Sequence, residues 1–237
     1  MEEVRLNKYL SLCGECSRRE ADTFIEEGRV LVNGAVASMG QKVSSNDEVV
    51  FDGRIVKMPL SMPLYAFYKP VGVTVTAKDV HAEKTIYDLI SISGAKGLKY
   101  AGRLDRDSEG LLLLTADGDF IEQLMRGSHG HEKEYIVTLD REPAEADMEA
   151  LSKGVYLEEL NRTTRPCEIK RSGKRTVSMV LTEGLNREIR RLWQLKGYNV
   201  ERLKRVRVAT ITVDGLKPGE IREIKGGELA RLRESLS

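Results

Sequence analysis

Four consecutive leucines, Leu111 to Leu114, follow Gly110 and run into Thr115. Ahead of them lies Tyr100-Ala-Gly-Arg-Leu-Asp105-Arg-Asp-Ser-Glu-Gly110, a polar loop reached from a strand-like approach. A short apolar run bounded by glycine reads as a buried strand. The chain is thereby committed to a sheet, with Asp105 on a loop at its edge. Such an aspartate is either a turn residue bonding nearby backbone amides or a group held out for chemistry.

The pattern around this segment is that of an α+β fold. Strands are expected over 65–68, 72–76, 111–115, 133–140, 176–182, 206–213 and 221–224. Helices are expected over 119–126, 144–152, 186–196 and 228–236. In the third helix Ile189, Leu192, Trp193 and Lys196 recur at helical spacing, and Gly197 follows as a stop. Strands interleaved with few helices predict a mixed, mainly antiparallel sheet with flanking helices rather than a doubly wound one.

The first 57 residues follow another rule. Leu6, Tyr9, Leu10 and Cys13 share one helical face. Ser17 and Glu20 form a capping box at the start of a second helix, which Gly28 ends. Asn33-Gly34 and Asp52-Gly53 are hairpin turn signals between short apolar runs. The sequence Lys57-Met-Pro-Leu-Ser-Met-Pro63 holds two prolines that resist helix and ladder alike. The expected organisation is a small helix-pair module over 1–57, a linker over 58–63 and a larger unit over 64–237.

Composition removes whole classes. With 41% hydrophobic residues the chain can bury a core, so disorder is excluded. No apolar run approaches a membrane span, and the first ten residues lack a signal-peptide core. Three cysteines cannot make a disulfide framework, so a reducing cytoplasm is expected. No glycine-rich phosphate loop of either common kind is present, so no nucleotide cofactor is expected. Cys13 and Cys16 lack a second pair, and His129 and His131 lack helical metal-ligand spacing, so no metal is expected either. The net charge is only +1, but residues 161–210 hold most of the positive excess inside an otherwise acidic chain. That block is a solvated surface or a face for a polyanion.

Several motifs resemble known families. Residues 4–56, with SRREAD followed by G-x-V-x-V-N-G, resemble an S4 RNA-binding domain. The resemblance implies phosphate contacts by Arg5, Lys8, Arg18 and Arg19. The segment G-R-L-D-x-D-S-x-G-L-L-L-L-T resembles the central motif of the pseudouridine synthases. It implies that Asp105 is the catalytic residue. Lys69-Pro-Val-Gly72 resembles the family's K-P-x-G turn, and Lys133-Glu-Tyr135 its K-x-Y, whose tyrosine lies against the target base. Gly184-Leu-Asn-Arg-Glu-Ile-Arg-Arg191 resembles the motif whose arginine pairs with the aspartate, a role that maps to Arg190. Arg202-Leu-Lys-Arg205 resembles the motif whose leucine, here Leu203, packs in the pocket. Glu188 stands where that family usually has glutamine.

The resemblance, strongest to the branch acting on 23S ribosomal RNA, F type, implies isomerisation of uridine to pseudouridine without cofactor. RNA contacts are expected at Lys69, Arg103, Arg106, Arg187, Arg191, Lys204 and Arg205, with Arg202 and Arg207 along the same path. The expected partner is ribosomal RNA, 23S foremost, with a tRNA left open as a second substrate. No membrane is involved, and a monomer is expected. The competing readings are a non-catalytic ribosome-binding protein and an S4-linked methyltransferase, the latter opposed by the missing glycine-rich nucleotide loop.

Overall fold

The computed structural model describes residues 3–58, 62–76, 83–90, 92, 97–125 and 130–236. By contacts between Cα atoms the chain falls into two units. The first comprises Met1–Leu64, Ser91–Lys99 and Leu114–Gly118. The second comprises Tyr65–Ile90, Tyr100–Leu113 and Asp119–Ser237. Much of the expected linker, and the end of the helix expected over 119–126, lie outside the described residues.

In the first unit, strand β1 (Val4–Arg5) leads into helix α1 (Leu6–Leu12), and Ser17 opens α2 (Arg18–Glu26). The Ser17 hydroxyl accepts from the Glu20 amide at 3.2 Å, and the Glu20 carboxylate accepts from the Ser17 amide at 2.8 Å. Two orphan donors of the helix end are thereby satisfied. Strands β2 (Val30–Val32), β3 (Ala35–Val36), β4 (Lys42–Val43), β5 (Val49–Phe51) and β6 (Arg54–Val56) follow. Four of them form a sheet in the order β3-β2-β5-β6, while β4 pairs with β1. Both expected hairpin turns take positive φ, at 52° and 82° for Asn33 and Gly34 and 47° and 77° for Asp52 and Gly53. That backbone matches strand twist and suits these residue types. Leu6, Leu10, Ala21, Ile25, Val30, Val49 and Val56 pack into one core. Tyr9 sits among them and donates its hydroxyl to the Val56 carbonyl at 3.0 Å.

Most of the second unit lies on one large sheet. Its strands are β7 (Leu64–Lys69), β8 (Lys99–Ala101), β9 (Glu109–Thr115), β10 (Lys133–Leu139), β13 (Glu168–Gly173), β14 (Thr176–Leu181), β15 (Val200–Val208), β16 (Ile211–Thr212) and β17 (Ile221–Ile224). A separate pair, β11 (Tyr156–Leu157) and β12 (Arg162–Thr163), lies off it. The order is β13-β14-β10-β15-β9-β7-β17, with β16 on β15 and β8 on β9. The pairings of β10 with β14 and β15 are antiparallel, while β15 and β9 run parallel. The sheet is mixed, as the sequence pattern predicts. Helices α3 (Gly118–Met125), α4 (Glu145–Ser152), α5 (Glu188–Leu195) and α6 (Gly226–Ser235) accompany it. Strand β9, which carries the four leucines, is buried at all seven positions.

Three strand expectations change. Residues 72–76 make no strand: Gly72 lies in a turn, and Thr74 forms only an isolated bridge with Thr85. Proline at 70 and the turn after it deny the segment a ladder. The strand expected over 206–213 is two, because Ala209 at φ 49° turns the chain between β15 and β16. Strands β11, β12 and β13 and the start of β15 at Val200 were not expected; in β13 the exposed charged residues carry no apolar alternation.

Candidate active site

The loop from Arg103 to Ser108 is held by anchors that arrive from distant parts of the chain. Lys69 donates from Nζ to the carbonyls of Ser108 at 2.6 Å and Pro70 at 2.9 Å. The Gly72 amide donates to the Arg106 carbonyl at 2.7 Å. Arg190 donates to the Asp107 carbonyl at 3.2 Å. Within the loop, the Ser108 amide closes a turn onto the Asp105 carbonyl at 3.1 Å. Behind it Gly110, at φ 111°, lies so near β15 that a Cβ there would sit 2.2 Å from the Arg205 carbonyl oxygen. Only glycine permits that approach.

Asp105 opens onto a cavity of about 570 Å³. That volume lies in the range of small-molecule sites. Tyr135, Leu203, Leu104, Leu181 and Ile189 supply apolar wall, and Lys133, Glu183, Glu188, Arg187 and Arg205 supply charge. The Asp105 side chain is 36% exposed, so the carboxylate is reachable from solvent. The nearest guanidinium is that of Arg187, whose Nη1 lies 3.5 Å from Oδ2. Arg187 occupies the cap position of α5 with φ 51°, a left-handed conformation that costs a non-glycine residue about 1–3 kcal/mol. Strain of that kind gathers where a side chain must be aimed.

The expected Asp105–Arg190 pair does not form. Arg190 is only 14% exposed and is anchored to the Val200 carbonyl at 2.8 Å and to the Asp107 carboxylate at 3.1 Å. Asp107 takes the guanidinium that the motif assigned to Asp105, and Arg187, three residues earlier, reaches both carboxylates. Two of the expected RNA contacts are corrected as well. Lys69 is 0% exposed, and its ammonium is taken up by the buried Ser108 carbonyl and the partly buried Pro70 carbonyl. Burial pushes it down to about 8, against the opposing pull of Asp107, Asp105 and Glu109. Arg205 is 3% exposed and donates from Nε to the Leu111 carbonyl at 2.7 Å. Neither can meet a phosphate from outside.

The remaining cations divide. Arg103 is exposed at the cavity and has no ion pair among the described residues. Arg106 pairs with Glu83 at 2.6 Å. Arg191 pairs with Glu159, Arg202 with Glu109, and Arg207 with Glu132 and Glu134. Lys204 lies 5.1 Å from the centre of the Tyr68 ring. In the first unit Arg5 precedes α1, Lys8 lies half-buried on it, and Arg18 and Arg19 open α2 at the surface.

Sequence reasoning missed a buried acidic pair in the cavity wall. Glu188 accepts from the Leu185 amide at 2.9 Å, and burial with the neighbouring Glu183 pushes its carboxyl up to about 7. Glu183 accepts from the Arg165 amide and from Arg162 at 3.3 Å. A protonated Glu188 can donate, as the amide of the glutamine usual in this motif does. Asp107 was missed too, although its place two residues after Asp105 was a signal. The cysteines are free, and burial pushes the thiols of Cys13 and Cys16 up to about 12 and about 11. Among the described residues no group of three or more histidine, cysteine or acidic side chains could hold a metal ion.

This arrangement of loop, cavity and sheet belongs to a known class. Residues 63–195 match the RNA pseudouridylate synthase family and residues 4–49 match the S4 domain. The chain is 38% identical to the dual-specificity RNA pseudouridine synthase RluF of Escherichia coli (strain K12), over 97% of this chain and 78% of that protein. It is 34% identical to the ribosomal large subunit pseudouridine synthase B of Bacillus subtilis (strain 168), over 97% of this chain and 95% of that protein. A crystal structure of a pseudouridylate synthase superposes with a TM-score of 0.70 at 27% identity, covering 97% of this chain and 99% of that one. The chain belongs to the RNA pseudouridylate synthase family and carries an S4 domain.

Proposed function

We propose that this enzyme isomerises particular uridines of ribosomal RNA, those of the large subunit foremost, with Asp105 as the catalytic carboxylate. The observation that carries this reading is Asp105 on a firmly anchored loop, facing a cavity of about 570 Å³ with Arg187 3.5 Å away. In the reaction the N1–C1′ bond breaks, a C5–C1′ bond forms, C5 loses its proton and N1 gains one. Nothing is oxidised or hydrolysed. A carboxylate serves this chemistry by attacking the sugar or by balancing positive charge on it. Arg187 holds the carboxylate in place and takes the role first assigned to Arg190.

The uridine must leave its stack, at a cost of a few kcal/mol. Tyr135, in the cavity wall, offsets part of this by stacking, worth about 1–3 kcal/mol per base. Leu203 packs beside it. Arg103, Arg106, Arg187, Arg191 and Lys204 guide the backbone around the cavity, and Arg5, Lys8, Arg18 and Arg19 hold RNA on the S4 domain. We take the enzyme to act as a monomer. Its work belongs in the cytoplasm, where ribosomal RNA is assembled.

Carbodiimide modification followed by primer extension, on RNA from cells with and without the gene, tests the reading. Loss of a stop at defined ribosomal uridines, restored by the wild-type gene and not by Asp105→Asn, is the expected result. The same assay on the tRNA pool decides whether a tRNA is a second substrate. An unchanged ribosomal RNA pattern overturns the ribosomal assignment.

A further inference from the structure

The face of the sheet beneath the cavity is cationic. Lys133 and Tyr135 are two apart on β10, and Leu203 and Arg205 are two apart on β15. Tyr135 is paired directly with Arg205 and Val137 with Leu203. Side chains two apart on a strand share a face, and so do directly opposed partners of an antiparallel pair. All four of these side chains line the cavity. Lys133 and Arg205 are both buried.

Arg205 is not satisfied there. Of its five N–H bonds, only Nε–H has a partner among the described residues, the Leu111 carbonyl at 2.7 Å. Nη2 is sealed from solvent and makes no hydrogen bond, while Nη1, which has no partner among the described residues either, is not sealed and is left for the cavity that Arg205 lines. A buried donor left unmade costs free energy, and more when it is charged. Lys133 sharpens the problem: its Nζ has one protein partner, the His131 carbonyl at 3.2 Å, and burial and the neighbouring Arg205 charge push its ammonium down against the opposing pull of Glu188. Two buried cations with unused donors suit a guest that is rich in acceptors and that gathers negative charge.

The reaction supplies such a guest. When N1–C1′ breaks with the electron pair going to the base, uracil becomes an anion whose charge spreads to O2 and O4. Asp105, half-exposed, meets the ribose at the mouth of the cavity. The carbonyl O4 lies across the ring from N1 and so reaches deepest. We propose that Arg205, seconded by Lys133, donates a hydrogen bond to O4 of the target uracil and stabilises the detached base. The same contact rejects cytidine, whose amino group at that position is a donor facing a donor-only guanidinium. A half-turn of uracil about its N3–C6 axis exchanges N1 with C5 and O4 with O2. The guanidinium therefore meets a carbonyl oxygen before and after the turn without moving.

The inference rests on uridine isomerisation by this cavity, so turnover of an unmodified stem–loop carrying the mapped uridine is the reference measurement. Single-turnover rates are then compared for that RNA with 4-thiouridine or 2-thiouridine at the target, a thiocarbonyl being the weaker acceptor. For the wild-type enzyme the 4-thio substitution slows the chemical step at least about tenfold more than the 2-thio substitution, the size of one good hydrogen bond to a charged donor. In Arg205→Lys and Arg205→Met, checked for folding by circular dichroism, that difference shrinks towards unity while the rate on plain uridine falls. Equal 2-thio and 4-thio rates in the wild type overturn the proposal, and so does an unchanged ratio in a folded variant. If neither variant folds, the wild-type comparison alone decides.

Discussion

The two units handle positive charge in opposite ways. In the first, Arg5, Arg18 and Arg19 stand at the surface around a helix pair whose core holds no charged side chain. In the second, Lys69, Lys133 and Arg205 are buried, and Arg190 is nearly so. Surface cations displace counterions and grip any phosphate backbone, which gives affinity that salt weakens. Buried cations cannot do that. They are fixed by backbone carbonyls and carboxylates, at the cost of desolvation, and act on whatever enters the cavity. The lesson is that a basic segment is not one thing. Within the positive block at 161–210, Arg205 is buried and Arg190 nearly so, while Arg187 and Arg202 stay exposed.

The largest effect should come from the second unit. Asp105→Asn keeps the shape of the loop but removes the charge; turnover should fall by about 10³-fold or more, with RNA affinity nearly unchanged in a filter-binding assay. Comparable loss of affinity would show that Asp105 holds the loop rather than acting on the nucleoside.

Lys69→Met should destabilise next most, by about 2–5 kcal/mol in urea unfolding, because the Ser108 and Pro70 carbonyls lose their donor. Its pH dependence is a sharper test. The folded ammonium lies at about 8, below its ordinary 10.5. Between those values the unfolded chain binds the extra proton, so this group makes stability rise with pH from about 8 towards 10. Below about 8 both states are protonated and its contribution is flat. The variant should lack that rise; an identical profile would mean that the lysine is hydrated rather than buried.

In the first unit, Arg18→Gln with Arg19→Gln should weaken RNA binding about tenfold at low salt and lower the slope of log affinity against log salt by about 2. The single-turnover rate at saturating RNA should stay as it was. A lowered saturating rate would dissolve the division of labour between the units. The smallest effect is expected for Ser17→Ala, a loss of about 1 kcal/mol through the broken capping box, read by thermal unfolding.

Much of the first unit was legible because its signals act over a few residues. A serine caps three positions on, and an Asn-Gly or Asp-Gly pair sets two dihedrals. Motif likeness likewise brought Asp105, Tyr135 and Leu203 to one cavity. It did not give the pairing inside it. Arg187 and Arg190 lie one turn apart at the start of α5 with the same chemistry, and their choice between Asp105 and Asp107 depends on contacts about 80 residues apart. Glu188 illustrates the same limit, because only burial beside Glu183 converts an acid into a candidate donor.

The order of residues by itself determined the helix pair, the hairpin turns and the buried run of leucines. These follow from backbone preference, apolar period and local hydrogen bonds, all properties of short stretches. The tertiary structure alone decided which cations are buried or ion-paired and which stand exposed. Charge pairing and desolvation depend on what folding brings alongside, and a one-dimensional pattern carries no distances.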